Sequence, residues 1–408
     1  MERVPVEIWQ QILLMVMEIG AEPIFATSCT SYTFLYVLTQ QTRAHRQQKP
    51  YRDYRERRRR LRQVCRAWNE YIINTSHRWL QLDDPGSLDE QGRVVYELDS
   101  STSTGSRGVG PVERLSTIID SEELTTRILS WTSHILKRPA NHAPLRAYTF
   151  RLLKTPVRGY NPFDDLVGTG TTPTTAAGYT NTTLHALSIT TPFGSTARIS
   201  FPQISTTFTH LRALFLVNAN PTTQQALALP RLELLSVHNT LPAFGTLPVD
   251  AWDMPALRHV HLGHVSNAAQ VASVRDGFLR RYAPQLESLA LLELSKAKAS
   301  FLDLPPGFWD EFRALRLLGL KAATLEREDW SGWSVVPPTT HPLRYVVCWS
   351  PSTVESTVER VRQRWTYHQG VRLVAGHQTT DTYHLVRDIR DGQWIQKMEE
   401  INGILPEL

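Results

Sequence analysis

Residues 257–262 read LRHVHL, and the same arrangement of apolar, two variable, apolar, one variable, apolar recurs along most of the chain. Quoted from their first apolar residue, the segments are LRAYTF (145), LHALSI (184), LRALFL (211), LELLSV (232), LRHVHL (257), LESLAL (286), LRLLGL (315) and LRYVVC (343), with a fainter VRLVAG at 371. Their spacings are 39, 27, 21, 25, 29, 29, 28 and 28 residues. One such hexapeptide carries no weight, but a series at near-constant period marks a repeat architecture. In the apolar-x-apolar part, alternate side chains share one face of a short strand. A unit of this kind buries its apolar face only against its neighbours, so the units stack into a curved solenoid of α/β repeats. The return segments run outside it, and Pro230, Pro255, Pro284 and Pro342 stand just before the next strand. The long first spacing contains TTPTTAAGYTNTT, so residues 155–183 are expected to form a disordered loop.

With each L-x-L pair pointing inward, the intervening and flanking residues are predicted to face the concave side. They are Phe215 and Val217, Ser236 and His238, His259 and His261, Ala290 and Leu292, Gly319 and Lys321, Val347 and Trp349. Candidate target-binding residues among them are Phe215, His238, His259, His261, Leu292, Lys321 and Trp349. Phe215, Leu292 and Trp349 are large apolar groups at positions expected to be exposed, the usual mark of a contact surface. A register shifted by one residue would turn all of them the other way. His259 and His261 also share a strand face near His264, but no cysteine or carboxylate completes a metal set, so no metal and no cofactor are expected.

Upstream of the repeats the pattern changes. Residues 1–82 read as helical. Pro5 and Glu7 suit a helix start, and Ile8, Ile12, Met15, Val16 and Ile19 then form one apolar face that Trp9 and Leu13 widen. Residues 55–71, RERRRRLRQVCRAWNEY, carry Leu61, Val64, Cys65, Trp68 and Ile72 as a second helical stripe, with the arginines on the other faces. Residues 83–111 are rich in Ser, Thr, Gly and Asp and read as a flexible linker. Residues 112–138 regain helical spacing through Leu115, Ile118 and Ile119.

The 408 residues carry a net charge of +5. Residues 41–80 alone hold twelve Lys/Arg against Asp53, Glu56 and Glu70, so the remainder of the chain is mildly acidic. A nucleic-acid reading therefore rests on one segment, and the repeats offer it no basic stripe. The basic run reads first as a solvated helix flank, with a nuclear-import signal as a lesser reading compatible with it. Three dispersed cysteines and no apolar run of membrane-spanning length fit a cytoplasmic or nuclear protein with no membrane association. No phosphate-binding loop, nucleophile elbow or zinc-protease motif is present, and an enzyme is not expected.

VPVEIWQQILLMV resembles the Leu-Pro-x-Glu-Ile start of an F-box, and LRQVCRAWNEY resembles its V-C-R-x-W core. With repeats that look like leucine-rich repeats, the chain resembles F-box/leucine-rich-repeat proteins, especially the expanded group of mushroom-forming fungi. The phrase ILSWTSHILKRPANHAPLRAYTF is similar to that group's entry into its repeats. The resemblance implies an N-terminal helical F-box over 1–82, a linker over 83–111 and an irregular leucine-rich-repeat domain over 112–408. It implies substrate selection for a cullin–RING (SCF-type) ubiquitin ligase, with the F-box docking a Skp-type adaptor and the repeats holding a protein target. Carried onto this chain, Pro5, Ile8, Ile12, Leu13, Val64, Cys65 and Trp68 would form the docking surface and its core. Two departures stand out. The family's leading Leu is Val4, and the distance from Pro5 to Trp68 is about twice the family's, which implies an insertion within 21–60. A nuclear nucleic-acid-binding protein and a repeat scaffold without a ligase are the alternatives.

Overall fold

The computed structural model describes residues 5–18, 56–74, 79–82, 114–119, 132, 145–152, 183–192, 198–218, 220–221, 226–238, 252–263, 277–292, 307–321, 337–350 and 372–377. The expected linker (83–111), the expected insertion up to residue 55, and all but Thr183 of the expected loop lie outside these residues.

Fifteen strands are described: β1 Trp79–Leu82, β2 Arg114–Ile119, β3 Ala147–Leu152, β4 Ala186–Thr190, β5 Arg198–Ile199, β6 Ala213–Val217, β7 Asn220–Pro221, β8 Leu227–Ala228, β9 Leu234–His238, β10 Trp252–Asp253, β11 His259–Gly263, β12 Ser288–Leu292, β13 Leu317–Lys321, β14 Tyr345–Ser350 and β15 Arg372–His377. Eleven of them form one parallel sheet in the order β1-β2-β3-β4-β6-β9-β11-β12-β13-β14-β15, which is not closed into a barrel. Each main strand lies beside the next main strand in sequence, as a stacked array requires. The remaining four make two small parallel pairs, β5 with β7 and β8 with β10, in the return segments.

Eight of the quoted hexapeptides enter the sheet at their third residue, and their apolar positions fall in register: Leu187 pairs with Leu214, Leu214 with Leu235, and Leu235 with Val260. The ninth is one residue off. Val346 pairs with Leu373, so Leu373 rather than Val374 continues the inward row. Both residues are apolar, and the hexapeptide alone does not choose between them.

Two strands correct the reading of the N-terminal half. Residues 114–119 form a strand, not the start of a helix, and pair with β3 from Arg114↔Ala147 to Ile119↔Leu152. Leu115 to Ile119 are all buried. A short strand buried on both faces shows no apolar–polar alternation, and Leu115, Ile118 and Ile119 happen to keep helical spacing. The sheet begins earlier still, at Trp79, inside the stretch expected to be helical, where Leu80 and Leu82 supply the L-x-L pair.

A common corner precedes the strands. The backbone N–H of Leu211, Leu232, Leu257, Leu286 and Leu315 donates to the carbonyl three residues back (Phe208, Leu229, Met254, Ala283 and Phe312). Pro230, Pro255 and Pro284 occupy the second position of these turns, where a fixed φ is favourable. The second residue of each repeat then makes a continuous ladder. His185 N–H donates to Arg146, Arg212 to His185, Glu233 to Arg212, Arg258 to Glu233, Glu287 to Arg258, Arg316 to Glu287 and Arg344 to Arg316, all at 2.8–2.9 Å. Side chains staple adjacent corners together. Thr183 Oγ1 donates to the Leu145 carbonyl at 3.1 Å, and Gln285 Nε2 donates to the Leu257 carbonyl at 2.9 Å.

Aromatic residues of the return segments form the outer layer of the core. Phe201 and Phe278 stack edge-on against Trp252, at 5.6 and 5.8 Å between centroids. Tyr282 follows Phe278 at 5.2 Å. The Tyr282 hydroxyl donates to the Trp252 carbonyl at 2.6 Å and accepts from Met254 N–H at 3.1 Å.

Candidate docking surface

The N-terminal unit contains α1 (Val6–Glu18), a helical stretch over 56–62, a turn at 63–64, and α2 (Arg66–Asn74). The Pro5 carbonyl accepts from Ile8 N–H at 3.1 Å and Trp9 N–H at 3.3 Å, so Pro5 stands just outside the first turn as expected of it. Trp9 and Trp68 meet with ring centroids 6.1 Å apart, which joins α1 to α2.

The basic run is not one continuous helix with all its arginines outside. A straight helix would place residues 58 and 72 about 21 Å apart at the usual rise. Instead Arg58 is buried and donates to the Ile72 carbonyl at 2.7 Å, which requires the break at 63–65. Arg57 donates to the Val16 carbonyl at 3.2 Å. Both acceptors lie in the last turn of a helix, where carbonyls lack intrahelical partners and the dipole favours a cation. Arg59 and Arg60 pair with Glu56 at 2.9 Å each, and together, Arg59 foremost, they hold its carboxyl down at about 2. Arg62 Nε donates to Asn69 Oδ1 at 3.0 Å, and Arg66 pairs with Glu70 at 2.9 Å. Every arginine from 57 to 62, and Arg66, thus has a partner inside the protein.

The expected docking residues divide into two groups. Leu13 is buried at 2% exposure and belongs to the core with Ile72; Ile12 and Trp68 are half-buried. Pro5 and Ile8 are exposed. Val64 and Cys65 are exposed too, against the expectation that they point inside, because the break at 63–65 swings them out of the helical stripe. Among the described residues the exposed large apolar side chains are Val6, Ile8, Trp9 and Val64, at 65%, 46%, 42% and 58%. Pro5, Ile8, Trp9 and Ile12 follow one helical stripe, and the Trp9–Trp68 contact carries it toward the turn that holds Val64 and Cys65. Sequence reasoning passed over Val6, whose signal was its place three residues before Trp9.

The expected target-binding residues fare differently. The strand faces alternate as predicted, but the second face is not open. Phe215, His259 and His261 are buried, at 5%, 1% and 0% exposure, beside Ser236, Ser288 and Ala290. A parallel sheet covered on both faces behaves in this way. His261 Nδ1 and Ser236 Oγ lie 2.7 Å apart across adjacent strands. His238, Leu292, Lys321 and Trp349 occupy strand positions, with side chains outside the described residues. His264 lies outside them altogether, and among the described residues no group of three His, Cys, Asp or Glu side chains is placed to hold a metal. Among the described residues no helix is long and apolar enough to cross a membrane.

No protein-family model matches the chain, and no curated protein matches it.

Proposed function

We propose that this chain is a non-catalytic substrate-selecting adaptor of a cullin–RING ubiquitin ligase, with an F-box-like helical unit at the N-terminus and a leucine-rich-repeat solenoid behind it. The observation that carries the reading is the placement of Val6, Ile8, Trp9 and Val64. All four exposed large apolar side chains among the described residues belong to the small helical unit. Exposed apolar groups gathered on one element are the usual mark of a protein-binding surface. Their neighbours Pro5, Cys65 and Trp68 are the residues that resemble an F-box. The sequential parallel sheet, common corner and unbroken ladder support the repeat reading. The internal partners of the arginines in 57–66 weigh against the nucleic-acid alternative, since a phosphate-binding run keeps its guanidiniums free. A protein of the cytoplasm or nucleus fits this role.

Co-expression with a Skp-type adaptor, followed by affinity purification and a mass readout, tests it. A stoichiometric complex is the expected result. Folded wild-type protein that leaves the adaptor behind refutes the ligase reading and brings the scaffold reading forward.

A further inference from the structure

We infer that the edge of the sheet where β3, β4, β6 and β9 begin is a binding site for a phosphate-class oxyanion, built from Arg146, His185, His210 and Arg231. This goes beyond the adaptor reading and does not depend on it. The ladder bonds from His185 N–H to the Arg146 carbonyl and from Arg212 N–H to the His185 carbonyl, both 2.8 Å, set three basic residues on neighbouring strands. Strands in a sheet lie about 4.8 Å apart, so these three rungs span about 10 Å, and the corner before β9 that carries Arg231 extends the cluster to about 14 Å. The corner turns 208–211 and 229–232 add His210 and Arg231, each at the third position of its turn. Arg231 is exposed, and Arg146, His185 and His210 are half-buried, so all four are within reach of solvent.

The charges of this cluster are not cancelled. Glu233, on the next rung, is engaged by Arg212, whose Nε donates to it at 2.9 Å. Among the described residues the side chains of Arg146, His210 and Arg231 form no ion pair or hydrogen bond. Burial first, and then Arg212, Arg146, His210 and Arg231 in that order, push the His185 imidazole below its ordinary range. Two guanidiniums without a carboxylate partner, Arg146 and Arg231, beside one imidazole make a local positive potential.

The extent of the cluster selects the ligand. Past Glu233 the column changes character, and Arg258 pairs with Glu287 at 2.8 Å. Positive excess confined to about 14 Å, with a long arginine reaching inward from each end, matches one tetrahedral dianion held by several N–H donors. A nucleic-acid backbone needs cations that follow successive phosphates. The ligand chemistry is that of a phosphate monoester, free or carried on a polypeptide.

The test uses the full chain at physiological salt. Inorganic phosphate and a phosphoserine peptide are titrated while the His185 imidazole resonance and the heat of binding are followed. Saturable binding with an upward move of the His185 titration is expected. A free anion as the natural ligand gives equal affinities, and a phosphorylated polypeptide gives tighter peptide binding. The double variant R146Q/R231Q should bind at least about tenfold more weakly, while R231K, which keeps the charge, stays within about threefold. An ionic-strength response that sodium chloride reproduces, or unchanged binding by a folded R146Q/R231Q variant, overturns the site. A duplex oligonucleotide that binds these residues more tightly than either probe overturns the single-anion assignment.

Discussion

The Arg58 guanidinium lies 2.7 Å from the Ile72 carbonyl oxygen, buried, across the bend that separates 56–62 from α2. It closes the helical unit by satisfying a terminal carbonyl that the helix itself leaves without a partner. Removing a charged donor from a buried acceptor costs about 1.5–3 kcal/mol, so Arg58→Ala should destabilise the helical unit by that amount. Arg59→Ala removes an exposed pair with Glu56 and should leave the denaturation midpoint unchanged. Denaturant titration of the two variants followed by circular dichroism separates these roles, and equal effects would return Arg58 to the solvated flank.

Tyr282 bridges the Trp252 carbonyl and the Met254 N–H, two backbone groups of the preceding return segment. Its burial pushes the phenol above its ordinary value. Tyr282→Phe keeps the ring against Phe278 but leaves both backbone groups without their hydroxyl. The expected loss is about 1–3 kcal/mol, read as a lower midpoint with an unchanged slope against denaturant. A neutral result would mean that water replaces the hydroxyl and that the corners hold without it.

His341 fixes its own tautomer. Nδ1 accepts from Leu343 N–H at 3.2 Å, so Nε2 carries the proton and donates to the Phe312 carbonyl at 3.1 Å. Protonating Nδ1 would break the first bond, and burial already pushes the imidazole below its ordinary range. His185 is shifted in the same direction. A histidine whose folded pKa is depressed stabilises the protein above the unfolded value of about 6.5 and loses that stability as pH falls through the folded value. Stability should therefore fall between pH 7 and pH 5, and His341→Gln should make that slope shallower. An identical slope in the variant would remove His341 from the acid response.

Strand register was legible because Leu-x-Leu pairs must point inward together. That fixed the relation of Leu187, Leu214, Leu235 and Val260 before any coordinates. The second strand face was not legible. Ser236, His261 and Ala290 have the composition of a half-open surface, and their burial comes from long-range packing that alternation does not encode. β2 was hidden because Thr117 stands where the repeats have a second apolar residue. Val64 and Cys65 were assigned inward because helical spacing was extended through 63–65, where the backbone turns.

The corners carry a legible rule that can be used forward. Pro284 follows a short helix, Arg280–Tyr282, at the second position of its turn, and Arg313 occupies the matching position after Phe308–Glu311. Arg313 is exposed. Arg313→Pro should stabilise the protein by about 0.4–1 kcal/mol by narrowing the unfolded ensemble. A lower midpoint would show that the Arg313 backbone does not share the conformation of Pro284.

The docking surface makes the final prediction, because exposure and burial separate residues that share one stripe. Leu13 is buried, and Leu13→Ala should cost about 2–5 kcal/mol of stability. Ile8 and Val64 are about half exposed, so Ile8→Asp and Val64→Asp should each change stability by no more than about 0.5 kcal/mol. A carboxylate in the centre of a protein contact, however, must be desolvated without a partner. The double variant should therefore lose the Skp-type adaptor, with at least about a tenfold weaker interaction. Co-purification beside a melting curve reads both quantities from one preparation. Retained adaptor with a normal melt would move the contact off this face, whereas a lost adaptor with a normal melt assigns it to Ile8 and Val64.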